Sequence, residues 1–474
     1  MPETATATRE ESQLAYGALP MVVVSAGFHK THVTTAAREA FDRELLTVAI
    51  TGVYPTECVR RLALVARLSD RGRIARLLER GEAIPDERLR AFALPELLCE
   101  AARPLALVPG DGTFYHRVCA ATWRLYGRLA ARELQHAGRR ARVFHFRAGF
   151  GHASIDRARE LGMHVLCDHA IVHPALLDEL VANRGRSACL DDPVQNPVAQ
   201  SQPLLPTEQA ILDDIDRSDS ILVNSDFVKE TFLACGWPAD RVHVVYLGVD
   251  NNFVAGLNGR PRRSAGGAMR LLFAGRFERR KGADLLVDAL RGLDRVDWEL
   301  VIAGPVMPEI RASYSQFLND PRVTMLGTIR RPDLAREMLA APVFVFPSYA
   351  EGSARAVFEA LACGCYVITT PNSGTIVEDG VHGALVAPDN VDGLKDAIVA
   401  AGADRTRVAE IGARNAALVA ARYGQQQYGE ALATLYREVT RTRLSRIGAP
   451  GAGRSMVPTG AAGPVAADPS AGTT

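Results

Sequence analysis

Short runs of β-branched and other apolar residues alternate with helical stretches along this chain, and the pattern occurs twice. In the first half, strands are predicted at Met21–Ser25, Leu45–Ile50, Arg142–Phe146, His164–Cys167, Ser220–Val223 and Val242–Tyr246. In the second half they fall at Arg270–Ala274, Glu299–Ala303, Arg322–Leu326, Val343–Pro347, Tyr366–Thr369 and Ala384–Val386. Helical patterns lie between most of them, for example Asp226–Cys235, Gly282–Arg291 and Ser353–Cys363. Alternation of this kind builds parallel, doubly wound sheets whose strands are apolar because both faces are covered. Twelve strands exceed one comfortable sheet, so two Rossmann-like α/β domains are expected. Ala255–Ala268, rich in Gly, Pro and Arg and without periodicity, reads as the linker between them.

Composition narrows the function. The 474 residues carry 55 Lys+Arg against 54 Asp+Glu, a net charge of +1, which is no footprint for nucleic acid. Only four of the basic residues are lysines, Lys30, Lys229, Lys281 and Lys395, so each is worth inspection. The eight cysteines form no C-x-x-C pair, so neither a zinc ribbon nor a disulfide framework is indicated. Met1–Gly17 has Glu10 and Glu11 before its first apolar stretch and does not read as a signal peptide. The uncharged run Ala360–Val377 contains Gly364, Pro371, Asn372 and Gly374, and so reads as strand and turn rather than a membrane span. A cytoplasmic protein is the expectation.

Ligands of open α/β sheets bind beyond the carboxyl ends of the strands. After the first strand of the second half comes Gly275-Arg276-Phe277-Glu278-Arg279-Arg280-Lys281-Gly282. Gly275 permits close backbone approach, and Arg276 and Lys281 can converge on one phosphate-bearing group, a planar fork beside a point charge. After the strand ending at Pro347, Gly352-Ser353-Ala354 is expected at a helix start, where free N–H groups favour an anion. Glu351 precedes that helix and Glu359 lies two turns in, about 80° away around it, so they serve different parts of one ligand. A carboxylate can accept from two vicinal hydroxyls of a ribose or hexose. The plain alternative is a solvated basic loop and a helix with two ordinary glutamates.

The pair Arg276/Lys281, then Glu351-x7-Glu359, Gly364 and Val367-Ile368-Thr369-Thr370, resembles the signature of glycosyltransferase family 4, enzymes of the GT-B fold. Leu222-Val223-Asn224-Ser225, Val244 to Asp250 and Gly380 to Val386 are similar to further phrases of that family. The resemblance covers roughly Pro20 to Leu444, strongest in the second half. It implies two Rossmann-like domains facing across a cleft and a nucleotide-diphospho-sugar donor. It also implies retention of anomeric configuration and no metal or other cofactor. Arg276 and Lys281, with Gly275 and the backbone of Gly352, Ser353 and Ala354, would hold the diphosphate. Glu359 would bind the ribose and Glu351 the hexose, while Gly327, Thr328 and Ile329 would meet the base. His169 stands where the family has its active-site histidine; with Asp168 and Glu351 it makes the catalytic set. His32 and His145 are expected on the acceptor side. The loop after the first strand departs from the family's glycine-rich form, having Phe28, His29 and Lys30.

The expected division is a flexible N-terminus at 1–19, an acceptor-side domain at 20–254, the linker at 255–268 and a nucleotide-sugar domain at 269–424. A closing helix at 425–447 and a disordered tail at 448–474 complete it. The acceptor is a glycan, a lipid-linked group or a small molecule. Arg60–Arg80 holds seven arginines against Asp70 and Glu79 and has an apolar side. Such a surface could hold anionic lipid at the inner membrane face, although a solvated helix pair with arginine-biased exposed faces accounts for it better.

Three patterns imitate other chemistries. Gly149-Phe150-Gly151, with Asp168 further on, mimics a dinucleotide fingerprint but has Ser154 at the third glycine position. His169-x3-His173 suggests a metal, yet Pro174 works against helical spacing there. Asp214-Ile215-Asp216 matches a metal-binding D-x-D but sits inside a helical pattern. A sugar-nucleotide isomerase or epimerase of GT-B fold, or a non-catalytic sugar-nucleotide-binding protein, would share the donor residues.

Overall fold

A computed structural model describes residues 21–57, 61, 81–107, 113–194, 204–250, 253, 267–293 and 296–448. The linker (except its last residues), the N-terminus to residue 20 and the tail beyond Gly448 lie outside these, as does Arg60–Arg80 apart from Arg61.

Seven strands form the first sheet: β1 (Val22–Ser25), β2 (Leu46–Thr51), β3 (Leu89–Ala91), β4 (Val143–Arg147), β5 (His164–Asp168), β6 (Ser220–Val223) and β7 (Val242–Val244). Their order is β3-β2-β1-β4-β5-β6-β7, all parallel. Six form the second: β8 (Met269–Ala274), β9 (Trp298–Ala303), β10 (Val323–Met325), β11 (Val343–Phe346), β12 (Tyr366–Thr369) and β13 (Gly383–Leu385). Their order is β10-β9-β8-β11-β12-β13, again parallel. All twelve strands expected from the sequence are present. The additional one, β3, is a three-residue edge strand, Leu-Arg-Ala, too short to show any alternation.

The strands are apolar because helices cover both faces. Val22, Val23 and Val24 are fully buried, as are Leu271, Leu272 and Phe273. The last helix, Gln425–Gly448, belongs to the second half by sequence but packs on the first. Its Tyr428, Leu432, Tyr436 and Val439 share a core with Val22, Val24, Ala36 and Leu46.

The carboxyl ends of the two sheets face one another. Ser225, just past β6, donates its hydroxyl to the carbonyl of Gly352, which lies past β11, at 2.5 Å. Asn372, past β12, donates to the Gly185 carbonyl at 2.6 Å. Arg184 of the first domain meets three carboxylates of the second, Asp288 at 3.2 Å, Asp389 at 3.4 Å and Asp284 at 3.6 Å. The residues after each strand are thus gathered at one joint.

Candidate active site at the domain joint

The donor loop is built around glycine geometry. Gly275 turns the chain after β8 with φ +122°, a conformation that L side chains rarely adopt. The chain then reaches Lys281, whose Nζ lies 2.7 Å from Glu351 Oε1 and 5.0 Å from the centre of the Phe346 ring. Arg280 joins the same carboxylate at 2.9 Å, and its other nitrogen holds Glu278 at 3.0 Å. Arg276 is 58% exposed at its side chain and pairs with the second oxygen of Glu278 at 3.0 Å. Lys281 and Arg276 are therefore brought to one loop, each held in place by a carboxylate. Arg280 is a third cation there that the sequence reading passed over; it adjoins Lys281, and only its direction in space distinguishes it.

Two sequence expectations for the next loop need correction. The helix after β11 runs Arg355–Ala362 with Ala354 as its cap, two residues later than expected. Glu351 is thus outside it, and the angle reckoned around a continuous helix does not apply. The Ala354 N–H is also not free: it donates to the Ser373 carbonyl at 3.0 Å, while Glu351 N–H donates to Asn372. The N–H groups of Gly352 and Ser353 meet no acceptor among the described residues. Gly352 itself is required by crowding, since a Cβ there would lie 1.8 Å from the Ala170 carbonyl of the first domain.

Glu359, buried in the Arg355–Ala362 helix, is ion-paired to Arg331, which also holds Asp250. Burial raises its pKa, and the charges of Arg331 and Arg355 pull it back. The two glutamates accordingly serve different partners. Arg331 was not anticipated; it begins the Arg331–Ala340 helix, just past the loop of Gly327, Thr328 and Ile329. Thr328 is exposed in that loop, and Ile329 packs against the core.

On the first domain the strand ends assemble a second group. Asp168, the last residue of β5, accepts from His32 at 2.6 Å and His145 at 3.0 Å. The other ring nitrogen of His145 meets the Tyr436 hydroxyl at 2.8 Å, so the closing helix props the cluster. Burial opposes ionisation of Asp168, but the charge and hydrogen bonds of the two histidines outweigh it and hold the carboxyl well below its usual range. His32, His145 and Asp168 are thus one unit.

His169 follows Asp168 in the chain but faces elsewhere. Its Nε2 donates to the Val172 carbonyl at 3.2 Å and its ring lies edge-on to Phe232. Burial lowers its pKa to about 4, so near neutral pH it is uncharged, with Nδ1 left as the acceptor.

The three imitations resolve into structural roles. Asp214 is buried and accepts the N–H groups of Gly151 at 2.7 Å and His152 at 2.8 Å, so a carboxylate already fills the glycine turn. His173 caps the Pro174–Ala182 helix by accepting from the Ala175 N–H. Among the described residues no group of three or more His, Cys, Asp or Glu side chains could hold a metal. None of their helices is long and apolar enough to cross a membrane.

Comparison with known proteins bears on the family and the fold. Residues 268–404 match the family described as glycosyl transferases group 1. The chain is 32% identical over 254 residues to a D-inositol 3-phosphate glycosyltransferase of Mycolicibacterium paratuberculosis, covering 49% of this chain and 55% of that protein. It is 32% identical over 224 residues to the protein of that name from Pseudarthrobacter chlorophenolicus, covering 42% and 53%. The chain thus spans about half the length of the curated relatives it matches. Among solved structures it is similar to sucrose-phosphate synthase of Thermosynechococcus elongatus, with a TM-score of 0.58 at 18% identity over 89% of this chain and 100% of that one. Anabaena HepE in complex with UDP gives 0.54 at 14% identity over 88% and 100%. At such identities these two show the fold alone. The chain therefore has a GT-B fold, and its residues 268–404 match the group 1 glycosyl transferase family that the resemblance to family 4 led one to expect.

Proposed function

We propose that this chain transfers a sugar from a nucleotide-diphospho-sugar to an acceptor hydroxyl, with retention of anomeric configuration and without a metal. The observation that carries the reading is the donor loop, where Arg276, Arg280 and Lys281 gather beside Gly352 at the joint of the two domains. Glu278 and Glu351 hold these cations in position before any ligand arrives. As the bond from the sugar to the diphosphate breaks, negative charge grows on the leaving oxygen. Cations gathered at the joint and free N–H groups stabilise that charge. Lys281 and Arg276 take the diphosphate in this reading, Glu359 the ribose, and Glu351 the sugar hydroxyls once its cations turn to phosphate. The loop of Gly327, Thr328 and Ile329 takes the base.

The cluster of Asp168, His32 and His145 shapes the acceptor side, and neutral His169 orients a hydroxyl. Closure of the domains excludes water from the transfer.

Thermal-shift titration with UDP, GDP and ADP, each with and without Mg²⁺, tests the donor site. HepE was crystallised with UDP, so UDP is tried first. Stabilisation by one nucleotide, unchanged when metal is chelated, is the expected result. No shift with any of the three at millimolar concentration overturns the reading.

A further inference from the structure

Cys99 and Cys119 stand with their sulfurs 3.1 Å apart, and both carry free thiols. The 20 positions between them make no motif; only the packing of two helices brings them together. Cys99 is partly exposed near the end of the helix Ala93–Ala101, and Cys119 is buried in the helix Thr113–Ala137. A disulfide needs the sulfurs about 1 Å closer, a shift within reach of rotation about the two Cα–Cβ bonds.

The same two helices hold the loop after β1. On the first, Glu96 lies one turn before Cys99. It is buried, accepts the Val53 N–H at 2.7 Å and meets His29 at 3.0 Å. On the second, Tyr126 lies two turns beyond Cys119. Its hydroxyl accepts the Gly27 N–H at 3.2 Å and meets Ser25 at 3.1 Å. His29 has φ +62°, a left-handed backbone that a side chain other than glycine keeps only where its surroundings hold it. The seating of these two helices therefore sets the shape of the loop.

We propose that Cys99 and Cys119 form an oxidisable dithiol, which a hydroperoxide converts to a disulfide that clamps the two helices beneath the loop after β1. Cys99, the more exposed, meets the oxidant. Its sulfur attacks one peroxide oxygen and the O–O bond breaks, leaving a sulfenic acid and, from hydrogen peroxide, one water. The Cys119 sulfur then attacks the Cys99 sulfur, the hydroxyl leaves as a second water, and the S–S bond forms. The two thiols give up two electrons and two protons, which end in the two waters. Burial, and then the neighbouring Cys119, push the Cys99 thiol up to about 12. The pair accordingly rests protonated near neutral pH and answers sustained rather than brief oxidation, since the thiolate is the nucleophile. The site is independent of the transferase reading.

The full chain is treated with hydrogen peroxide, quenched with a maleimide and digested for mass spectrometry, beside a sample reduced with dithiothreitol. A cross-link between Cys99 and Cys119 that dithiothreitol removes is expected. Backbone hydrogen exchange reads the clamp, because the Gly27 and Val53 N–H groups each donate to one of the two helices. Peptides carrying them should exchange at least threefold more slowly in the oxidised chain than in the reduced one. Cys119→Ser should abolish both effects, and Cys99→Ala, at the less buried position, should do the same if the serine variant fails to fold. No cross-link in the wild type, or a cross-link to another cysteine instead, overturns the proposal. Equal exchange in oxidised and reduced wild type, or the same slowing in peroxide-treated Cys99→Ala, overturns it as well.

Discussion

Replacing Asp168 with asparagine removes one negative charge while leaving the shape of the side chain nearly unchanged. Asp168 is buried and receives two hydrogen bonds, from His32 at 2.6 Å and His145 at 3.0 Å. Hydrogen bonds to a charged group contribute about 1.5–3 kcal/mol each. The asparagine amide can still meet one ring nitrogen as acceptor and offer a proton to the other, so part of the pair survives. The net loss expected is therefore about 3 kcal/mol, or roughly 6–12 °C in Tm for a domain of this size. The pH dependence gives a second handle. The folded Asp168 pKa lies below the unfolded value of about 3.9, so its contribution is present above that value and is lost as pH falls through the folded pKa. Urea unfolding of both proteins from pH 7 to pH 3 measures this. The gap should hold from neutral pH to about pH 4 and narrow below it. A gap under about 1 kcal/mol at pH 7, the size of an ordinary neutral hydrogen bond, would refute the view that the two histidines stabilise an ionised carboxylate.

Other outcomes follow from the same geometry. Lys281→Ala should weaken UDP binding by at least about tenfold, the loss of roughly one charge-assisted contact, measured by titration calorimetry. Glu359→Ala should also weaken nucleotide binding, whereas His169→Ala should spare it and lower turnover; normal turnover in the latter removes His169 from the catalytic set. Gly352→Ala places a methyl group where the Ala170 carbonyl already sits, 1.8 Å from the Cβ position. Backbone at the joint must move to admit it, so Tm and turnover should both fall, which calorimetry and activity assays measure; an unchanged Tm would show that the joint opens freely. His169, with a folded pKa of about 4 against about 6.5 unfolded, binds fewer protons when folded. It therefore contributes a stability that rises with pH between those values, and His169→Gln should flatten that slope in urea titrations.

Much of this architecture is legible in the amino-acid order, because parallel strands covered on both faces must be apolar runs and helices must separate them. That is why β1, β4, β5 and β8 stand out, and why Leu89–Ala91, three residues at an edge, does not. The carboxyl-end rule then points to Gly275, Lys281, Glu351 and Glu359, since positions next to a strand are readable from the strand. What the order of residues does not contain is direction. Asp168 and His169 are neighbours in sequence, yet one meets His32 and His145 while the other turns to Val172 and Phe232. Arg331 reaches Glu359 from 28 positions away, and Tyr436 reaches His145 from 291. Local periodicity decides which residues are buried and which end a strand. Only the packing of two sheets and a returning helix decides which charges find partners.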